Sequence, residues 1–354
     1  MDTIINATDF LKTATQAHAS DIFIVAGLPL AYKINGKMHH TGDRLTPEAT
    51  EHIIKEIYSL AGDRNMKTFL KKGDDDFSFA IPSCSRFRVS TYKQRGSLAA
   101  VIRVISFDLP NPSELGIPDT VIQQSNHTKG LVLVTGPAGS GKSTTLACLV
   151  DAINSTKEKH IITLEDPLEF LHRHKKSIVS QREIATDTDS YLVALRAALR
   201  QSPDVILLGE MRDYETIQTA MTAAETGHLV LSSLHTIGAA NTIDRIIDVF
   251  QPNQQRQIAV QLSMVLEAVI SQQLVPTIDG GQVPAFEIMT VTPAIRNMIR
   301  DNKIHQIDGL IYSSAKNDMI SMDNSLLTLY KQGRISKETA LSFGTNPDML
   351  KKKL

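Results

Sequence analysis

Gly130-Leu-Val-Leu-Val-Thr-Gly136-Pro-Ala-Gly-Ser-Gly141-Lys142-Ser143-Thr144-Thr145 decides the fold. Gly136–Ser143 fits the pattern GxxxxGK[ST] in full. A continuous apolar run precedes it and a helical pattern, KSTTLACLVDAIN, follows it, which is the strand–loop–helix setting that a phosphate-binding loop requires. Glycines let backbone N–H groups curl around an anion without Cβ clashes, and the first turn of the following helix adds unpaired N–H groups and a positive dipole end. The candidate cradle is therefore Gly136, Pro137, Ala138, Gly139, Ser140, Gly141, Lys142, Ser143 and Thr144. Lys142 suits the β- and γ-phosphates of a nucleotide, and the Ser143 hydroxyl suits Mg²⁺.

Outward from this loop the same rhythm repeats. HIITLED, DVILLGE and HLVLSSLHT are short apolar runs suited to strands buried on both faces. YLVALRAALRQ and YETIQTAMTAAETG lie between them as helical patterns. This βαβ series predicts a doubly wound α/β core. After His235 the chain reads as mostly helical, through SMVLEAVISQQLV, TPAIRNMIRDNKI and NSLLTLYKQG.

Upstream of the loop the pattern differs. A helix is expected from Asp9 to His18, then the strand DIFIVAG. Asn35-Gly36 signals a two-residue hairpin, and Thr46-Pro47 opens a helix running to Ala61 with an N-cap and a first-turn proline. Three further strand runs follow, DDFSFAIP, SRFRVSTYK and SLAAVIRVIS, the last two joined at Gln94-Arg95-Gly96. Strands beside segregated helices predict an α+β domain over 1–107. The stretch 108–118, DLPNPSELGIP, reads as an interdomain linker, and 119–354 as the second domain. At roughly 150 residues per domain, 354 residues accommodate two or three domains.

Composition excludes several classes. Lys+Arg number 37 and Asp+Glu 38, a net charge of −1, which argues against a globally basic nucleic-acid binder. Aromatic residues make up 5% and Trp is absent, so a base-stacking platform is thin. The two cysteines, Cys84 and Cys148, form no CxxC pair, so neither a disulfide framework nor a cysteine zinc site is expected. The N-terminus lacks the apolar core of a secretory signal, and no run is long enough for a membrane span, so a cytoplasmic location is expected.

Hydrolysis needs acidic groups at the carboxyl ends of strands, where ligands of open α/β sheets bind. Glu165-Asp166-Pro167-Leu168-Glu169 follows HIITL, and Glu210 follows VILLG. The segments GPAGSGKSTT, LEDPLEF, VILLGEMRD, TAAETGHL and LHT occur in that order and resemble the Walker A, Asp box, Walker B and His box of type II/type IV secretion ATPases, within them the PilT-like pilus-retraction branch. Residues 294–300, AIRNMIR, resemble an element associated with retraction. The extension-type ATPases carry a long N-terminal extension and a four-cysteine insert, neither of which is found in this sequence.

The resemblance implies a RecA-like core, a smaller PAS-like N-terminal domain and a ring of six identical subunits that turns over ATP. Its residue roles carry over singly. Glu169 and Glu210 match the two glutamates required for hydrolysis, Glu210 ranking as the Mg²⁺-holding acid and Glu169 as the water-activating candidate, with Glu165 and Asp166 close enough to leave that ranking open. His228 and His235 match the His box, with the role of sensing the γ-phosphate or transmitting its loss. Arg88 and Arg103 match arginines that reach a neighbouring subunit's nucleotide, with Arg86 and Arg95 as weaker alternatives. Both sit in apolar runs, where a guanidinium without an anion is costly. An inner-membrane platform protein is the implied partner, with a paralogous motor as a further one, placing the ring at the inner face of the membrane. The rival readings are a pilus-assembly or type II secretion ATPase, a DNA-translocating RecA-like ATPase, and a nucleotide-binding subunit that does not hydrolyse.

Overall fold

The computed structural model describes residues 6–34, 36–105, 107, 109–313 and 319–354. The chain divides into two units: Met1–Asp108 with Glu169–Leu171, and Leu109–Leu168 with His172–Leu354.

The first unit runs α1 (Ala7–Gln16), β1 (Asp21–Ile24), β2 (Leu30–Ile34), β3 (Lys37–Thr41), α2 (Pro47–Leu60), α3 (Lys67–Lys72), β4 (Asp74–Ile81), β5 (Ser85–Gln94) and β6 (Ser97–Ile105). Its strands form one antiparallel sheet in the order β3-β2-β1-β6-β5-β4. Local chemistry sets several boundaries. Thr46 Oγ1 accepts the Ala49 N–H at 3.2 Å and caps α2, with Pro47 at its first position. The β5–β6 hairpin turns through Arg95 and Gly96, both at positive φ, as a two-residue turn demands. Ile34 pairs with Lys37 across the expected β2–β3 hairpin, whose Asn35 lies outside the described residues. Helix α3 had no clear sequence signal; it is six residues long and buries only Phe69.

Period-two alternation divides the sheet's faces. Phe87, Val89 and Ile102 face inward with Phe10, Leu11, Ile53 and Ile57 of α1 and α2. Arg88 and Arg103 face outward. At one margin Arg64 grips Asp75 through two N–H donors at 2.9 and 3.0 Å, and this guanidinium holds the Asp75 carboxyl below the usual carboxylate range.

The second unit comprises α4 (Asp119–Ile122), β7 (Gly130–Thr135), α5 (Lys142–Thr156), β8 (His160–Glu165), β9 (Ile178–Glu183), α6 (Tyr191–Ala198), β10 (Val205–Leu208), α7 (Tyr214–Glu225), β11 (Leu229–Leu234), α8 (Ala239–Asp248), α9 (Pro252–Val265), β12 (Leu266–Pro276), β13 (Gln282–Thr290), α10 (Pro293–Arg300), α11 (Ile307–Ser313), α12 (Met322–Lys331), α13 (Lys337–Phe343) and α14 (Pro347–Lys351). Its sheet has the order β13-β12-β7-β11-β10-β8-β9, parallel throughout except for the antiparallel β12–β13 pair. Leu131, Leu133, Ile206 and Val230 bury one face with α6 to α10, while Val132, Val134, Leu207 and Leu231 bury the other with α5. Burial on both faces is why these strands read as unbroken apolar runs.

Two expectations change here. The segment after His235 is mostly helical, but most of SMVLEAVISQQLV is not part of that: α9 stops at Val265, and residues 266–290 form the β12–β13 hairpin. β12 lies parallel to β7 and covers what would otherwise be a fully apolar exposed edge. The segment expected as a linker is folded onto this unit from Pro110 onward. The Ile117 N–H donates to Pro112 O at 2.9 Å, Ile117 is buried, and the Cys148 thiol donates to Pro110 O at 3.7 Å.

Candidate functional site

The parallel strands deliver their carboxyl ends to one edge of the sheet, in the order β12, β7, β11, β10, β8. The phosphate loop leaves β7 at Thr135 and enters α5 at Lys142. Gly136 has φ +143° and lies against strand β12; a Cβ there would sit 2.1 Å from Gln272 O. Gly141 has φ +87°, and its Cβ would sit 2.7 Å from Gln272 Nε2. Gly139, at φ +76°, faces open space. The loop's curl thus depends on glycine for two distinct reasons, close approach and left-handed backbone. Lys142 is buried, and its ammonium donates to Gly136 O and Pro137 O, both at 2.9 Å. Ser140 Oγ is buried without a hydrogen-bond partner. A cavity of about 360 Å³ opens beside the loop, lined by Leu115, Gly141, Thr144, Thr145, Gln272 and Arg334 among others.

Glu210 follows β10, two strands from β7 and so about 10 Å across the sheet. Its Oε2 is 3.2 Å from His235 Nε2, and its Oε1 is bonded to the Arg212 guanidinium. Burial acts to raise the Glu210 pKa, but the Arg212 and His235 partners outweigh it and hold the carboxyl below its ordinary value. Ser233 Oγ donates to Gly209 O at 2.5 Å and the Met211 N–H to Ser233 O at 3.2 Å, which ties the Glu210 loop to β11. Glu165 ends β8 on the other side of β10, and the Thr163 hydroxyl donates to its Oε1 at 2.6 Å. The Tyr191 hydroxyl sits among these groups. Burial raises its pKa, reinforced by the charges of Glu210, Asp166 and Glu165.

The structure therefore brings together the phosphate loop, Glu165, Glu210 and His235. His228 does not join them. It precedes β11, whereas His235 follows it, so the two are about 23 Å apart, at opposite ends of a strand. His228 Nδ1 instead lies 2.9 Å from Ala223 O, at the end of α7. A γ-phosphate sensing role for His228 at its own subunit's loop is thereby corrected: a parallel strand carries it to the wrong edge of the sheet. Glu169 is exposed and, like Arg88 and Arg103, is grouped with the first unit.

Arg88 and Arg103 are direct cross-strand partners on β5 and β6. Arg103 Nε donates to Asp21 Oδ1 at 3.2 Å, with 67% of the arginine side chain exposed. Strand alternation places both guanidinia in solvent, so the expected desolvation cost does not arise. In AIRNMIR, Ile295 and Ile299 are fully buried, and Arg296 donates to the carbonyls of Ser263, Met264 and Leu266 and to Glu267 Oε2 at 2.9 Å. That arginine closes the end of α9, leaving Ala294, Asn297 and Arg300 as the exposed residues of α10 after its first proline.

Gln272, Arg212 and Tyr191 are the site residues that sequence reasoning missed. Arg212 lies inside the quoted GEMRD motif and was within reach; Gln272 is 127 residues from its partner Thr145, and no local signal announces it.

A profile of the Type II/IV secretion system protein family matches residues 2–306. The chain belongs to that family. Among its relatives, the Pseudomonas aeruginosa type IV pilus retractation ATPase PilT is 44% identical over 95% of this chain and 97% of its own length. The Neisseria gonorrhoeae twitching motility protein is 42% identical over 96% of this chain and 91% of its own. A crystal structure of the pilus retraction motor PilT with bound ADP superposes with a TM-score of 0.88 and 46% identity, covering 98% of this chain and 99% of that one. This chain has a mixed α/β fold with two sheets.

Proposed function

We propose that this chain is a motor ATPase that hydrolyses ATP to drive type IV pilus retraction. The observation that carries the reading is the alignment of the phosphate loop with the Glu210–His235 pair along one sheet edge, in a chain similar over nearly its whole length to pilus-retraction proteins.

The phosphates of ATP fit the cradle from Gly136 to Thr144, and the base and ribose fit the neighbouring cavity. Lys142 exchanges its loop carbonyls for phosphate oxygens. The buried, unbonded Ser140 hydroxyl and the narrow glycine passages suit an anion wrapped by backbone. Among the described residues no cluster of three or more His, Cys, Asp or Glu side chains could hold a metal ion. Mg²⁺ needs only one or two protein groups beside phosphates and water, and Ser143 and Glu210 would hold it. Bound Mg²⁺ neutralises charge on the phosphate oxygens. Glu210 ranks as the Mg²⁺-holding acid and either Glu169 or Glu165 as the group that orients and deprotonates water, while His235 reads the state of Glu210. Arg88 and Arg103, exposed side by side, suit delivery to the nucleotide of a neighbouring copy in a homohexamer. The boundary between Asp108 and Leu109, just before the stretch folded onto the second unit, is the proposed pivot between the units.

The work falls on an inner-membrane platform protein, with a paralogous motor as an optional companion and the ring at the cytoplasmic face of the membrane. Among the described residues no helix is long and apolar enough to cross a membrane. The exposed side of α10 is the proposed coupling surface, and substitutions there belong at Ala294 or Asn297. Ile295→Asp would place a charge in the main core and cost about 3 kcal/mol or more.

Two experiments test the reading. Lys142→Ala should abolish ATP turnover, and a near-normal rate would remove the phosphate-loop assignment. Deletion of the gene should leave hyperpiliated cells that do not twitch, whereas bald cells would reassign the motor to pilus assembly.

A further inference from the structure

Three consecutive polar residues, Ser271, Gln272 and Gln273, interrupt the apolar strand β12 where its neighbour β7 turns into the phosphate loop. Ser271 pairs with Thr135, the last residue of β7. All three are buried, and buried amides are costly unless bonded. The bonds of Gln272 span the loop. Its Oε1 accepts the Thr145 hydroxyl at 2.7 Å, and its Nε2 donates to Ser140 O at 2.6 Å. Ser140 is the penultimate loop residue and Thr145 lies in the first turn of α5. Gly136 and Gly141 close on this same residue from either side.

We propose that Gln272 is a positioning residue of the nucleotide site: it sets the curl of the phosphate loop by bridging Ser140 and the first turn of α5 from a neighbouring strand. The proposal deepens the ATPase reading and rests on it. The adjacent Ser271 does related work on the other loop. Its Oγ accepts the Gly238 N–H at 2.9 Å, and Glu287, opposite it on β13, accepts the Ala239 N–H at 2.8 Å. Gly238 lies three residues beyond His235. One hairpin therefore fixes both the phosphate loop and the segment after His235.

Gln272→Glu keeps the acceptor for Thr145 but sets an anionic oxygen against Ser140 O, and Gln272→Met keeps volume while removing both bonds. In each the loop loses its fixed curl, so affinity for nucleotide falls. The test measures the KM for ATP and the rise in melting temperature on adding Mg-ADP, using the full chain. Both variants should raise KM about tenfold and shrink the nucleotide-induced rise. A merely structural glutamine would lower the melting temperature with and without nucleotide equally, leaving that rise intact. If neither variant folds, Thr145→Val removes one arm of the bridge and should raise KM about threefold. Wild-type KM and an undiminished nucleotide-induced rise in a folded variant would overturn the proposal. If wild-type protein itself gives no turnover and no nucleotide-induced rise, the ATPase reading fails instead.

Discussion

His235 Nε2 lies 3.2 Å from Glu210 Oε2, joining the carboxyl ends of two adjacent parallel strands. With Arg212 on the other carboxylate oxygen, Glu210 is an ionised group held at both ends. Glu210→Gln keeps the shape and removes the charge. It should lower ATP turnover by about a hundredfold or more while leaving nucleotide affinity within a few-fold. Steady-state turnover beside equilibrium binding of Mg-ADP checks this; undiminished turnover would strip Glu210 of its role.

The loop's glycines should respond unequally to alanine. Gly136→Ala drives a methyl group into the β12 backbone at a φ that only glycine adopts readily, and should cost about 3 kcal/mol with loss of nucleotide binding. Gly139→Ala meets nothing within 4 Å and pays only for left-handed backbone, about 1 kcal/mol. Thermal melts of the two variants, with and without Mg-ADP, separate them. Equal losses would mean that close approach to Gln272 is unimportant.

Arg88 and Arg103 stand in solvent, so alanine at either should change the stability of the isolated subunit by no more than about 0.5 kcal/mol. If they serve a neighbour's nucleotide, the same variants should lower the ATPase rate of assembled rings by at least about tenfold. Nucleotide affinity of separated subunits should stay unchanged. A large loss of that affinity would place the arginines in their own subunit's site.

Acid should act through His172. Burial lowers its pKa from 6.5 to about 4, so the folded chain keeps it neutral. Between those values the unfolded chain binds the proton and the folded chain does not. Stability from this residue is thus fully present above pH 6.5 and is lost as pH falls toward 4, on the order of 3 kcal/mol in all. His172→Leu should flatten the melting temperature over that window; an unaltered acid slope would assign the sensitivity to other groups.

What the sequence made legible was local. The phosphate loop, the Thr46-Pro47 cap and the Arg95-Gly96 turn each draw on a few neighbouring residues, so their chemistry is visible in order. The β12–β13 hairpin was hidden because SMVLEAVISQQLV carries both a helical period and β-branched residues, and only the open edge of β7 decides between them. Strand β9 was hidden because its exposed and intermediate positions dilute the apolar signal. His228 and His235 looked like one motif because seven residues separate them; a fully extended strand sends them to opposite edges. Glu210 was legible from its place after an apolar run, whereas Gln272 depends on a loop and a helix turn more than a hundred residues away.

The first unit's sheet has β1 in its interior, between β2 and β6. Closing that sheet therefore needs the chain only through residue 105, upstream of every residue of the phosphate loop. Early synthesis thus supplies a nearly complete antiparallel layer with its two outward arginines already side by side, while the nucleotide edge still waits for β12, some 130 residues downstream of β7. A truncation that spares the first unit should for that reason leave a soluble fragment bearing paired guanidinia and no binding loop.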